Sequence, residues 1–218
     1  MNNIGDDLLL PGEHAIKEEI LARYKPLLAS LLSKKRMEHC IGSAHMAYEL
    51  AFDIGYDVKS AFVSALVHDI AKEFAFETQK EYAHACPFPV PQYAYENKHR
   101  LHGFAGAGYL YRVSDAFTIE ELHAIAIHTI GSESMNTLDM IVYCADKIEP
   151  GRGEVYTRYY SQWKEFLKQN KEQSLSLLTL RIIFDLIEKN NQEKLQYSEN
   201  HEKNKRLHML KDAIESTL

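Results

Sequence analysis

Ser64-Ala65-Leu66-Val67-His68-Asp69-Ile70-Ala71-Lys72 is the stretch on which the reading of this chain turns. Small and apolar residues run into an adjacent histidine and aspartate, and a lysine follows one turn later. Ionisable side chains in such a segment are costly to bury unless a partner offsets their lost hydration. A metal ion is such a partner. It takes the imidazole nitrogen and the carboxylate oxygen together, and its charge answers the desolvation of both. Adjacent residues on a helix point about 100° apart, so the pair converges on one ion only over the helix edge. Neighbouring helices must then supply the other ligands.

The preceding segment supplies one. Met37, Ile41, Ala44, Tyr48 and Ala51 recur at helical spacing, and Gly55 is a good stop. Asp57 can cap the next helix, over about 58–72, which carries His68 and Asp69. Antiparallel neighbours joined by a short turn bring the start of the first beside the end of the second. His39 stands at that start and is the candidate third ligand.

The flanking segments read as further helices. Residues 13–32 place Ile16, Ile20, Tyr24, Leu27, Leu28 and Leu31 on one face, with Pro26 as a kink or break. Thr78 caps a short helix to Ala85, and Pro87, Pro89 and Pro91 then force an extended loop. His102-Gly103-Phe104-Ala105-Gly106-Ala107-Gly108 has the glycines of a phosphate loop but no strand before it. It reads as the start of a closely packed helix with His102 at its N-terminal end. Thr118-Ile119-Glu120-Glu121 is a capping box for a helix that reaches His128-Thr129 and stops at Gly131. Asn136 or Thr137 caps the next, with Leu138, Ile141, Val142 and Ala145 on one face and Asp146 just beyond it. Tyr159, Tyr160 and Trp163 read as packing, residues 174–188 as a core helix, and Lys203-Asn204-Lys205-Arg206 as the opening of the last helix. No long segment has a clear period of two, so the fold class is all-α. Residues 1–12 are expected to form an arm and 13–218 one helical domain.

Composition narrows the function. A net charge of −6 over 218 residues offers no global basic field for nucleic acid. Three cysteines without a CxxC argue against a disulfide framework and fit a reducing cytoplasm. No apolar run approaches a membrane span, and Met1 to Asp7 lacks the basic start of a signal peptide. Eleven histidines are many, and their placement carries the information.

Five pieces in order resemble a known family: Arg36-x-x-His39, His68-Asp69-Ile70-Ala71-Lys72, His102-Gly103-x-x-Gly106-Ala107, Ala126-Ile127-His128-Thr129 and Ala145-Asp146-Lys147-Ile148-Glu149-Pro150-x-Arg152. His39, His68-Asp69 and Asp146 resemble the metal signature of the HD-domain phosphohydrolases. More narrowly, the chain resembles the YqeK-type group of symmetrical diadenosine-tetraphosphate hydrolases. The match thins after Arg152. Where that group carries Pro-x-Thr and an Asn, this chain has Tyr197, Glu199 and Asn204.

The resemblance implies an HD-type helical bundle and an iron centre that splits diadenosine tetraphosphate into two ADP. It implies His39, His68, Asp69 and Asp146 as metal ligands, with manganese, zinc or nickel also suited to such a donor set. Asp69 would hold or deprotonate the attacking water. Arg36, Lys72 and Arg152 would bind the phosphate chain, with Lys72 beside the reacting centre. His102, His128 and Thr129 would donate to phosphoryl oxygens, or His102 and His128 would hold a second ion. A homodimer is the family expectation. Two alternatives stay open, namely another HD-type nucleotide phosphohydrolase acting on deoxynucleotides or alarmones, and a non-catalytic nucleotide-sensing module.

Overall fold

The computed structural model describes residues 11–192 and 197–218, and their side chains over 15–191 and 203–218. Helices α1 (Pro11–Leu31), α2 (Lys34–Ile54), α3 (Val58–Val67), α4 (Phe76–Ala83) and α5 (Lys98–Val113) form the first half. The second half holds α6 (Ile119–Ile127), α7 (Thr137–Ile148), α8 (Glu154–Gln169), α9 (Ser174–Gln192) and α10 (Tyr197–Glu215). No strand occurs among the described residues, so the all-α expectation holds.

Several boundaries differ from the sequence reading, each for a local reason. Helix α1 begins at Pro11, inside the expected arm, whose residues 1–10 lie outside the described ones. It continues through Pro26, because Ile20, Tyr24 and Leu28 are buried on either side of that position. Helix α3 stops at Val67, short of the expected 72. There the His68 imidazole takes the Ala65 carbonyl at 2.6 Å, and the chain tightens into three-residue turns (Ile70 N to Val67 O, Lys72 N to Asp69 O). Helix α6 stops at Ile127 in the same way, with His128 Nδ1 on the Ile125 carbonyl at 2.8 Å. Helix α10 starts at Tyr197, ahead of the basic segment expected to open it.

The caps expected at Asp57, Thr118 and Asn136 form, but the one at Thr78 does not: α4 starts earlier, at Phe76, behind Ala75 with no side-chain cap, and ends at Ala83. Asp57 accepts from the Lys59 and Ser60 amides, and Thr118 with Glu121 and Asn136 with Asp139 each close a reciprocal capping box. A second clasp ties the start of α2 to the turn after α3, where Ser33 N and Oγ donate to Glu73 at 2.7 Å each. Helix α5 packs against its neighbours through glycine. A Cβ on Gly103 would lie 2.5 Å from the Ala126 carbonyl, and one on Gly108 would lie 2.0 Å from the Tyr82 carbonyl. One core cluster runs from Ile20 on α1 to Ile214 on α10. Helix α8 docks on α2 through Trp163, whose Nε1 donates to Asp53 at 2.8 Å. The three C-terminal ends of α3, α6 and α7 and the N-terminal ends of α2 and α5 meet around one cleft, which is where His39, His68-Asp69, His102, His128 and Asp146 lie.

Candidate metal centre

The short α2–α3 connection does what the sequence reading required of it. His39, two turns into α2, faces His68 and Asp69 at the end of α3, and Asp146 reaches them from the last turn of α7. His39 Nε2 lies 3.1 Å from Asp146 Oδ1, and His68 Nε2 lies 3.6 Å from the same oxygen. Asp69 Oδ2 stands 3.6 Å from His68 Nε2 and 3.8 Å from His39 Nε2. Two overlapping donor groups result, His39–His68–Asp146 and His68–Asp69–His128, each with its ligand atoms within 4.8 Å of one another.

The tautomers decide what this cluster can hold. A carbonyl only accepts, so the bond from His68 Nδ1 to Ala65 O places the proton on Nδ1. In the neutral ring, Nε2 then presents a lone pair. That nitrogen is buried with no hydrogen bond, and beside it Asp69 Oδ1 lies 2.9 Å from His102 Nε2 and 3.5 Å from Lys72 Nζ. A lone pair facing two carboxylate oxygens in a dry interior is repulsive unless a cation lies between them. Two imidazoles and two carboxylates are also a donor set that first-row divalent metals accept. The residues therefore fit a divalent metal.

The charge states agree. Burial pushes the carboxyls of Asp69 and Asp146 up, but the neighbouring imidazoles, His68 first and then His102, hold Asp69 well below the usual carboxylate range. Lys147, His39 and His68 do the same for Asp146. Burial pushes His128 down to about 3 and lowers His102, so both rings are neutral. His39 goes the other way. Burial opposes its charge, but hydrogen bonds to Asp146 and Glu149 outweigh this and raise it to about 9.

The expected anion-binding side chains surround these ligands. Arg36 Nη1 donates to Asp69 Oδ2 at 2.8 Å, and Lys72 Nζ lies 3.5 Å from Asp69 Oδ1 and 3.0 Å from His102 Nε2. Thr129 Oγ1 is 3.0 Å from His102 Nε2 and 2.9 Å from His128 Nε2. Arg152 Nη2 donates to Asp146 O at 2.7 Å and to its Oδ1 at 3.2 Å. Every residue singled out from the sequence as a metal ligand or phosphate contact thus falls in one connected cluster; of the C-terminal motif positions, Tyr197 and Glu199 have side chains outside the described ones and Asn204 bonds Asn190 and Asn191 instead. One expected role fits poorly. His128 spends its Nδ1 proton on Ile125 O, so the neutral ring has no proton left at Nε2 to give a phosphoryl oxygen.

Two participants went unnoticed in the sequence. Glu149 is buried, and its Oε1 lies 3.2 Å from His39 Nδ1 and 3.6 Å from Arg152 Nε. It orients the His39 ring and the Arg152 guanidinium together. Lys147 donates to the His128 and Tyr143 carbonyls at 2.9 and 3.3 Å and so ties the turn after α6 to α7. Both sit inside the Ala145–Arg152 motif, and that position was the available signal. His123 makes the converse case. It pairs with buried Asp139 at 2.9 Å, away from the cluster, and buttresses the α7 cap.

The HD domain family model matches residues 36–151, and the chain belongs to the HD domain family. It is 33% identical over 136 residues to a Bacillus subtilis protein named bis(5'-nucleosyl)-tetraphosphatase, symmetrical, with 62% of this chain and 70% of that one covered. It is 29% identical over 174 residues to a Mycoplasma genitalium protein named probable nicotinate-nucleotide adenylyltransferase/Ap4A hydrolase. That match covers 74% of this chain but only 46% of the Mycoplasma protein, so the chain spans about half that relative's length. A crystal structure from Clostridium acetobutylicum, described as a predicted HD superfamily hydrolase involved in NAD metabolism, shares the fold. Its TM-score is 0.65 at 22% identity, with 94% of this chain and 98% of that one covered. No helix among the described residues is long and apolar enough to cross a membrane.

Proposed function

We propose that this protein hydrolyses a dinucleoside polyphosphate at a metal centre, cleaving diadenosine tetraphosphate symmetrically into two ADP. The observation that carries the reading is the buried, unbonded His68 Nε2 beside the Asp69 and Asp146 carboxylates, within a ring of cationic side chains. His39, His68, Asp69 and Asp146 would hold the ion, with iron first among the metals that suit them and manganese, zinc and nickel behind it. Such an ion supplies a water of lowered pKa and a Lewis acid for one phosphoryl oxygen.

The chain's own residues do the rest. Asp69 is ionised and takes the proton of the attacking water. The water oxygen bonds to one of the two inner phosphorus atoms. The central P–O bond breaks, and its bridging oxygen leaves with the other half as the second ADP. Arg36 and Arg152 fork onto non-bridging oxygens from opposite sides of the cluster, and Lys72 adds a point charge. Thr129 would donate its hydroxyl, and Glu149 holds the His39 ring with Nε2 turned to the Asp146 carboxylate, where it would ligate an ion.

A second reading concerns metal count. The lone pair of His128, 3.5 Å from Asp69 Oδ1 and 3.0 Å from His102 Nε2, suits a second ion better than a phosphate contact. One equivalent of bound metal per chain would support a single ion, and two would support the pair.

The test is product analysis. Metal-loaded protein is incubated with diadenosine tetraphosphate, the products are resolved by ion exchange, and Asp69→Ala serves as the control. ADP as the sole early product, lost in the control, is expected. AMP with ATP would refute central cleavage, and no turnover with metal bound would favour another nucleotide substrate or a sensing role.

A further inference from the structure

The metal cluster has two banks. Arg36 and Lys72 stand on the Asp69 side, and Arg152 and Lys147 stand on the Asp146 side, with Lys147 Nζ 3.4 Å from Asp146 Oδ2. Behind the second bank opens a cavity of about 530 Å³ between the turn after α7 and helices α8 and α9. Arg152 and Lys147 form part of its wall, so it shares a boundary with the metal ligands.

Its charge runs against that of the chain. The protein carries 31 Asp and Glu against 25 Lys and Arg. The cavity adds Arg158, Arg181 and Lys189 to Lys147 and Arg152; Asp185 and Glu188 oppose them on its wall, while Asp146 and Glu149 engage Lys147 and Arg152 from the metal side. Asp185 is already shared three ways, receiving Arg158 Nη2 at 2.8 Å, Arg181 Nη2 at 3.0 Å and the Tyr159 hydroxyl at 2.7 Å. One carboxylate cannot neutralise two guanidiniums, so a positive excess faces the cavity. The remaining wall is apolar, formed by Val155, Ile182 and Leu186, and Val155 is 41% exposed although hydrophobic. Cations at one side and apolar surface at the other suit a ligand that is phosphate at one end and nucleoside at the other.

We propose that this cavity receives the leaving nucleoside diphosphate half of the substrate. The inference rests on the dinucleotide reading of the site. A tetraphosphate lying across the metal ligands enters on one bank and leaves on the other. The half retained by Arg36 and Lys72 keeps its nucleoside on the Asp69 side, and the half crossing Arg152 passes into the cavity. Central cleavage then frees a diphosphate whose new terminal oxygen lies beside Arg152 and Lys147.

The test separates one half from two. Binding of ADP and of a diadenosine tetraphosphate analogue with a methylene at the central bridge is measured by calorimetry on metal-loaded protein. The variants are Arg181→Gln with Lys189→Gln, and separately Val155→Glu at an exposed wall position. Each should weaken the analogue about tenfold while ADP changes by less than about threefold, because exposed cations contribute modestly one by one. Equal weakening of both ligands would overturn the assignment to the leaving half, and no effect on either would overturn the cavity as a subsite. The analogue is not cleaved, so its response is independent of turnover. Selective loss of analogue binding by a protein that makes no ADP would keep the subsite and refute the hydrolase. Normal ADP production with unchanged binding in the variants would refute the subsite alone.

Discussion

Without metal, the fold should lose stability as pH rises from about 6.5 to 9, and His39 is the reason. In the folded chain its hydrogen bonds to Asp146 and Glu149 outweigh burial and raise it from 6.5 to about 9. A base with a raised folded pKa stabilises the fold fully below its unfolded pKa, and that stabilisation is lost as pH climbs through the folded value. A gap of roughly 2.5 pH units at about 1.36 kcal/mol per unit is worth about 3 kcal/mol. Only about a tenth of the His39 side chain is exposed, so solvent screening takes little from this figure. The assay is urea unfolding of chelator-treated protein at half-unit steps across that window, beside the Glu149→Gln variant. Removing one of the two carboxylates lowers the His39 pKa, so the variant's slope should flatten. Comparing the two cancels His123, which shifts the same way against Asp139 in both proteins. The metal-bound protein should run oppositely. The ion needs the nitrogen that the proton occupies, so apparent affinity should rise about tenfold per pH unit below 9. Equal slopes for wild type and Glu149→Gln would refute the account.

Other substitutions test how the cluster is assembled. Gly103→Ala would push α5 off α6 and part His102 from His128, costing about 2 kcal/mol in unfolding experiments and weakening metal binding in a competition titration. Gly108→Ala, whose new methyl meets the Tyr82 carbonyl, should cost about 3 kcal/mol. Trp163→Phe removes a charge-assisted hydrogen bond to Asp53 and should cost about 2 kcal/mol by circular dichroism, the single tryptophan being gone.

How much of this was legible in the sequence follows from what each feature depends on. The α2–α3 hairpin was legible because Gly55 and Asp57 punctuate it, and a hairpin of two helices forces His39 towards His68-Asp69. The Thr118 box was legible because capping is local chemistry. The end of α3 was not. It depends on the His68 ring competing for the Ala65 carbonyl, and residue spacing does not show that competition. Glu149 was hidden for another reason. Its partner His39 is 110 residues away, and only the folded chain shows which carboxylates reach which rings. The phosphate-donor role for His128 came from likeness of motif and could not include the proton committed to Ile125 O.

The meeting of helix ends around the cleft has an electrical consequence that no side chain supplies. Helices α3, α6 and α7 present the carbonyl ends of their peptide dipoles to the His68–Asp146 region, while α2 and α5 present amide ends where Arg36 and His102 stand. Each end acts as about half an elementary charge, negative for carbonyls and positive for amides. The backbone alone therefore sorts a cation towards one side of the cleft and an anion towards the other. Part of this field would survive the deletion of any single ligand. Variants stripped of one carboxylate should keep a residual preference for phosphate at the same place, and the geometry of the bundle sets the polarity of the cleft before any titratable group is chosen.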